Sequence, residues 1–157
     1  MSSARAADIA FLLDAYLQAD YRWQSQGHWH RIAVGARAPG VDAAFPDAAR
    51  FALLSAWNPG SVARDDARNR AEDAALRRTI DDAGLRCQPA FSSARDRSWR
   101  EPGWLVLDLG PSALDALARR FGQLGTLAWK RGEAVRLRMD AAAPPGLGAT
   151  PAVDWLK

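Results

Sequence analysis

Glu101, Asn58, Asn69 and Gln123 are the side chains in this sequence best suited to handling a small molecule. Glu101 is the only carboxylate of the four. Buried among tryptophans, its pKa would rise toward the range useful to a general acid or base. The three amides each offer a donor and an acceptor that could orient a substrate or read a base edge. Asn58 stands inside Ser55-Ala-Trp-Asn-Pro-Gly-Ser61, a polar, turn-rich elbow. An apolar run, Phe51-Ala-Leu-Leu54, precedes it and a long helical segment follows. At such a junction the N–H groups of Gly60 and Ser61 and the positive end of the helix dipole suit a phosphate or carboxylate. Arg70 or Arg100 would offset the negative charge, and Trp57, Trp99 and Trp129 would wall the site.

Stronger chemical signatures are missing. The elbow matches neither the phosphate-loop pattern, nor the Gly-rich dinucleotide pattern, nor a Ser-centred nucleophile elbow. Ser61 reads as a helix N-cap, because no histidine is placed to activate it. His28 and His30 would share one face of a strand, as a metal pair might. They are the only histidines, no Cys or acidic cluster adjoins them, and zinc normally takes three or four ligands. The sequence therefore points to no metal and no cofactor. One carboxylate among amides leaves catalysis open, and simple recognition fits as well.

The 157 residues, 48% of them hydrophobic, suit one domain with a real core. No apolar run approaches the roughly 20 residues of a membrane span, and the first residues lack the apolar stretch of a signal peptide. Cys87 is the single cysteine, so no internal disulfide forms, and a cytoplasmic location is expected. The net charge of +3 is mostly arginine. Its densest stretch, residues 64–78, alternates with Asp65, Asp66, Glu72 and Asp73, the mark of a solvated helix face rather than a nucleic-acid stripe. The Ala- and Arg-rich composition suggests a bacterial source of high GC content.

The elements that must position these side chains follow from periodicity. Residues 6–21 read as a helix with Ser3 as its N-cap, and residues 27–35 as a strand. Residues 36–49 read as a loop, 50–57 as a buried strand, and 64–84 as the longest helix, with Leu76 and Ile80 on its buried stripe beside Asn69. Residues 87–91 form a strand that Pro89 pushes toward an edge, and 104–109 a strong strand. A helix opens at Pro111 with Ser112 and Asp115 as a capping box. Residues 125–130 and 134–139 form a hairpin. Residues 141–157 read as an irregular tail.

Without the first helix, first strand and last strand, the order is strand, helix, strand, strand, helix, strand. That predicts an α+β, ferredoxin-like two-layer sandwich: an antiparallel or mixed sheet of about six strands with an extra N-terminal helix. Such a fold brings the elbow, the Trp99–Glu101 loop and the Phe121-Gly-Gln123 helix end to one edge, with Asn69 nearby.

At these residues the sequence resembles an uncharacterised bacterial family, domain of unknown function 3293. The family carries a motif like Thr-Ala-Trp-Asn-Pro-x-Ser, which Ser55-Ala-Trp-Asn-Pro-Gly-Ser61 matches with Ser for Thr. Asn69 and Leu76 resemble its following helix, Trp99-Arg-Glu101 its Trp-x-Glu segment, and Phe121-Gly-Gln123 with Trp129 its Phe-Gly-Gln segment and strand. Where the family tends to Glu-Glu-Ser, this chain has Glu101-Pro-Gly, so only the first acid carries over. The resemblance spans roughly residues 21–137 and implies no activity.

Three functions follow as expectations. The first is a site for a small molecule, a nucleotide or other anionic metabolite, at the elbow. The second is a structural or protein-interaction domain in which the four polar side chains satisfy one another. The third and least favoured is a nucleic-acid module, because Trp104-Leu-Val-Leu-Asp-Leu109 looks buried and the usual aromatic-and-basic strand is absent. Nothing in the sequence sets the oligomeric state.

Overall fold

The computed structural model describes residues 3–157, with side chains from residue 8 onward, so the cap assigned to Ser3 lies outside the described side chains. In chain order the elements are α1 (Ser3–Gln18), β1 (Asp20–Ser25), β2 (His28–Ile32), α2 (Pro39–Ala44) and β3 (Arg50–Ser55). A single 3-10 turn (Pro59–Ser61) leads to α3 (Asp66–Asp82), β4 (Cys87–Ser93), β5 (Glu101–Leu107) and α4 (Pro111–Arg120). The chain ends with β6 (Gly125–Lys130), β7 (Arg136–Met139) and β8 (Val153–Trp155).

The ferredoxin-like two-layer sandwich is not the fold. One 8-stranded sheet runs in the order β2-β1-β4-β5-β3-β6-β7-β8 and curls into a half-barrel. All neighbours are antiparallel except β7 and β8, which makes the sheet mixed. Strand β1 begins where the first helix is expected to continue. Its period is two, with Tyr21 and Trp23 buried and Arg22 and Gln24 half-buried. After β2 the chain crosses to the far flank. Gly35 N–H donates to Val135 O and Val135 N–H donates to Ala36 O, both at 2.8 Å.

That crossing wraps both flanks around one core. Tyr21, Trp23 and Ile32 share it with Leu137, Met139 and Val153, and α1 and α2 close it with Leu13 and Val41. The opposite face is covered over the middle of the sheet. There Leu76 and Ile80 of α3 and Leu114 of α4 pack on Ala52, Leu54 and Val106. Phe51 and Leu53 alternate into the first core, Ala52 and Leu54 into the second. Strand β3 thus lies between two packed layers, and its unbroken apolar run follows from having no solvent face. Leu76 and Ile80 are essentially inaccessible to solvent. Each contributes about 1.5–3 kcal/mol by burial.

Several local expectations change for identifiable reasons. Residues 39–44, read as loop, form the short α2, opened by Pro39 at its first position. Helix α3 is capped by Asp65, whose carboxylate accepts Arg68 N–H at 3.1 Å. Strand β4 is internal, between β1 and β5, despite Pro89; its ladder with β1 ends at Trp23↔Ala90, before the proline. The Ser112–Asp115 capping box does not form. Gly110 occupies the N-cap, Pro111 follows, and Asp115 instead accepts from Arg138 Nη2 of β7 at 2.8 Å. The segment after Ala141 ends in β8, parallel to β7. Among the described residues no helix is long and apolar enough to cross a membrane.

Candidate functional site

The elbow forms where β3 runs out of partners. Ser55 Oγ donates to Pro102 O at 2.7 Å and accepts Trp57 N–H at 2.9 Å, turning the chain out of the sheet. Asn58 then takes a left-handed conformation, φ +47°, which Asn tolerates better than most residues. The end of α4 docks beneath. Gly60 N–H donates to Gly122 O at 2.7 Å, and Gln123 Nε2 donates to Trp57 O at 2.9 Å. Gly122 has φ +66°, and a Cβ on it would come within 2.6 Å of Pro59 Cβ.

Asn69, one turn into α3, braces the elbow from the other side. Its Oδ1 accepts Asn58 N–H at 3.0 Å and Arg64 Nε–H at 2.9 Å. Its Nδ2 donates to Asn58 Oδ1 at 2.8 Å and to Arg64 O at 3.1 Å. Asn58 Oδ1 also accepts Arg64 N–H at 3.0 Å. Arg64 Nη2 reaches Ala56 O at 3.0 Å. A side chain only 1% exposed thereby has every hydrogen-bonding position filled.

Glu101 opens β5 opposite Ser92 of β4. Its Oε1 accepts Trp99 Nε1–H at 2.7 Å and Asn58 Nδ2–H at 3.3 Å. Among the described residues Oε2 has no hydrogen-bonding partner. Burial pushes the carboxyl above the usual glutamate range, and the bonds from Asn58 and Trp99 pull it back only partly. Glu101 is part of the wall of a cavity of about 290 Å³ between α1 and the β4–β5 end of the sheet. Phe11, Leu12 and Ala15 of α1 and Ala19 just after it supply its apolar side, with Tyr16, Tyr21, Ser61, Ser92 and Trp99 around Glu101. Tyr16 Oη and Ser61 Oγ share a hydrogen bond of 3.3 Å, and Tyr21 Oη donates to Tyr16 O. Burial, and secondarily the charge of Glu101, raises the Tyr16 hydroxyl's pKa, so it remains protonated.

Asn58, Asn69, Glu101, Trp99 and Ser61 thus meet at one edge of the sheet, and Gln123 reaches it through the Trp57 carbonyl. Three expected members lie elsewhere, one of them Arg100, whose guanidinium lies over the Phe91 ring. Arg70 is exposed on α3, and Arg64 is the arginine in the network. Trp129 is buried against Phe51, ring centroids 5.5 Å apart, toward the other end of β6. The expected anion cradle does not form, because Gly60 N–H is taken by Gly122 O and Ser61 N–H by Asn58 O. Ser61 faces Tyr16 rather than capping α3. Trp57 contributes its carbonyl, while its buried indole N–H has no partner among the described residues.

Sequence reasoning misses Tyr16, Tyr21, Arg64 and Phe11. On periodicity alone Tyr16 has only a packing role on the first helix. The available signal is that the chain has 2 tyrosines, five positions apart, each with a hydroxyl that needs a partner once buried. Among the described residues no group of three or more His, Cys, Asp and Glu side chains is placed to hold a metal ion. The cluster can accept a hydrogen bond or a proton at Glu101 and exchange hydrogen bonds at two hydroxyls.

Residues 54–125 match the model of a family described as protein of unknown function (DUF3293). Over that stretch, a little under half of the chain, the sequence is similar to this family. The DUF3293 segment runs from Leu54 in β3 to Gly125 at the start of β6, so it holds Asn58, Asn69, Glu101 and Gln123 together. Tyr16 and Tyr21, and with them the α1 wall of the cavity, lie outside it. No curated protein and no solved structure matches the chain.

Proposed function

We propose that the cavity between α1 and the β4–β5 end of the sheet binds a small, largely apolar molecule bearing one hydrogen-bond-donating group, an amine or a hydroxyl. Glu101 recognises that group. The observation that carries this reading is the half-used carboxylate. One oxygen is held by Asn58 and Trp99, the other has no partner among the described residues, and the group belongs to an apolar cavity wall. About 290 Å³ is near the lower end of ligand-sized pockets. A few polar groups converging in an apolar lining is the usual form of such a site.

An anionic metabolite or nucleotide fits this cavity less well. Its lining contains no Arg or Lys, and the elbow N–H groups are committed to protein carbonyls. The Asn58–Asn69–Arg64 cluster is satisfied within itself, which supports a bracing role for it, and Asn58 also holds Glu101 in place.

The test is a thermal-shift screen of wild type and Glu101→Gln against apolar amines and alcohols, with carboxylates and nucleotides as comparison classes. A ligand at 100 times its dissociation constant stabilises the native state by about 2.7 kcal/mol. Amines or alcohols should shift the wild type and lose most of that shift in Glu101→Gln. Equal shifts in both proteins, or shifts only with anions, would rule out Glu101 as the recognising group.

A further inference from the structure

The outer face of the sheet is only partly covered. Helices α3 and α4 pack over β3, β5 and the neighbouring part of β4, but no residue of β1 or β2 belongs to that core. On the uncovered part, register places Arg22, Gln24, Trp29, Arg31 and Phe91 on one face, since Arg22 pairs with Arg31 and Phe91, and Gln24 with Trp29. Trp29 and Phe91 meet edge to face with centroids 4.7 Å apart. The Arg100 guanidinium lies 4.1 Å from the Phe91 ring centre and 5.6 Å from that of Trp29. Around them is a cavity of about 300 Å³, separate from the Glu101 site, whose wall also includes Asp20, Arg22 and Arg97.

We infer that this face is a second site, which binds single-stranded nucleic acid by stacking a base on Trp29, with Phe91 bracing that ring edge to face, and holding phosphates on the surrounding arginines. Charge supports that occupant. The one carboxylate in the wall, Asp20, pairs with Arg22 at 2.9 Å and lies 3.9 Å from Arg31. Asp96, on the loop before β5, is engaged by Ser98. Among the described residues Arg97 and Arg100 have no carboxylate partner, so the face keeps an excess of positive charge. The Arg31 side chain is 68% exposed.

Geometry selects a single strand. The aromatic pair lies on a sheet face with no helix to enter a groove, so only an unstacked base reaches the rings. The arginines come from two places, strands β1 and β2 and the loop before β5, which suits successive phosphates better than one. Local sequence hides this arrangement. Only β2 carries an aromatic and a basic residue on this face, Trp29 and Arg31, and the rest is assembled from β1, β4 and one loop.

The experiment is fluorescence anisotropy of a labelled oligothymidylate of about 15 nucleotides, titrated with the full chain over a range of salt. The comparison proteins are Trp29→Ala, Trp29→Phe and the double variant Arg97→Ala/Arg100→Ala, each checked for native circular dichroism. Wild type should bind, with affinity falling steeply as salt rises. Trp29→Ala should weaken binding about tenfold and Trp29→Phe should restore most of it. The double variant should lower the salt slope by about 1.4, two phosphates at roughly 0.7 each. Absence of binding at low salt overturns the inference. So does equal binding by folded variants, tighter binding of the matching duplex, or equal affinity for thymidine monophosphate, which would make the site one for free nucleotides.

Discussion

Asn69 and Asn58 hold each other by two hydrogen bonds of opposite sense. Asn69 Oδ1 accepts the Asn58 N–H at 3.0 Å, and Asn69 Nδ2 donates to Asn58 Oδ1 at 2.8 Å. A helix side chain thereby supplies the partner that the strand ladder no longer gives once β3 has ended. The elbow can leave the sheet while buried because this amide replaces the lost neighbour.

Asn69→Leu should therefore be costly despite its similar size. It leaves the Asn58 N–H and the Arg64 Nε–H without an acceptor and takes one of two donors from Asn58 Oδ1, and we expect a loss of about 3 kcal/mol. Urea unfolding measures it. A loss within about 0.5 kcal/mol, the range of an ordinary surface substitution, would mean that the reciprocal pair does not brace the elbow.

Glu101 should make stability pH-dependent in a defined sense. Its folded pKa is raised by burial. Below about pH 4.3, the ordinary glutamate value, both folded and unfolded states hold the proton and stability is unaffected. As pH rises, the unfolded carboxyl ionises first, the folded state binds more protons, and stability falls until the folded pKa is passed. The stability difference between wild type and Glu101→Gln should thus decline from about pH 4 upward and then level off. A difference that is flat or rises over that window contradicts the buried position of the carboxyl.

Gly122→Ala should disturb the elbow from beneath. It combines a left-handed φ of +66° with a Cβ placed 2.6 Å from Pro59 Cβ. Strain and overpacking together should cost about 2 to 4 kcal/mol. Gly132, at φ +78° in a turn, has nothing within 4 Å of a Cβ, so Gly132→Ala should cost less. Equal destabilisation of the two by chemical denaturation would show that contact with Pro59 contributes nothing.

Cys87 offers a native reporter. Burial pushes its thiol pKa up, and the nearby Arg77 guanidinium only partly offsets that. Labelling by a disulfide reagent near pH 8 should run at least about tenfold slower than for the unfolded chain and recover fully in urea. Labelling at the unfolded rate without denaturant would place the start of β4 in solvent.

Much of the local structure is legible in the sequence because it depends on nearest neighbours. The apolar run at Phe51–Leu54 marks a strand with no wet face, Leu76 and Ile80 mark the buried stripe of α3, and Asn69 beside them marks a polar group that must find partners. The elbow motif, its amides and Glu101 are visible as types and spacings. Strand β1 is not, because six residues directly after a helix carry too short an alternation to break the helical reading. Nor is the half-barrel, since the bonds joining residues 35 and 36 to Val135 link segments about a hundred positions apart, and no local pattern encodes them. The same curl decides the chemistry. Pairing at the elbow spends the Gly60 and Ser61 N–H groups on carbonyls, α1 folds over Glu101 to make an apolar cavity, and Trp29 reaches Phe91 and Arg100 across strands. Residue type sets what a group can do; which groups remain unpartnered, and beside what, is set by long-range packing.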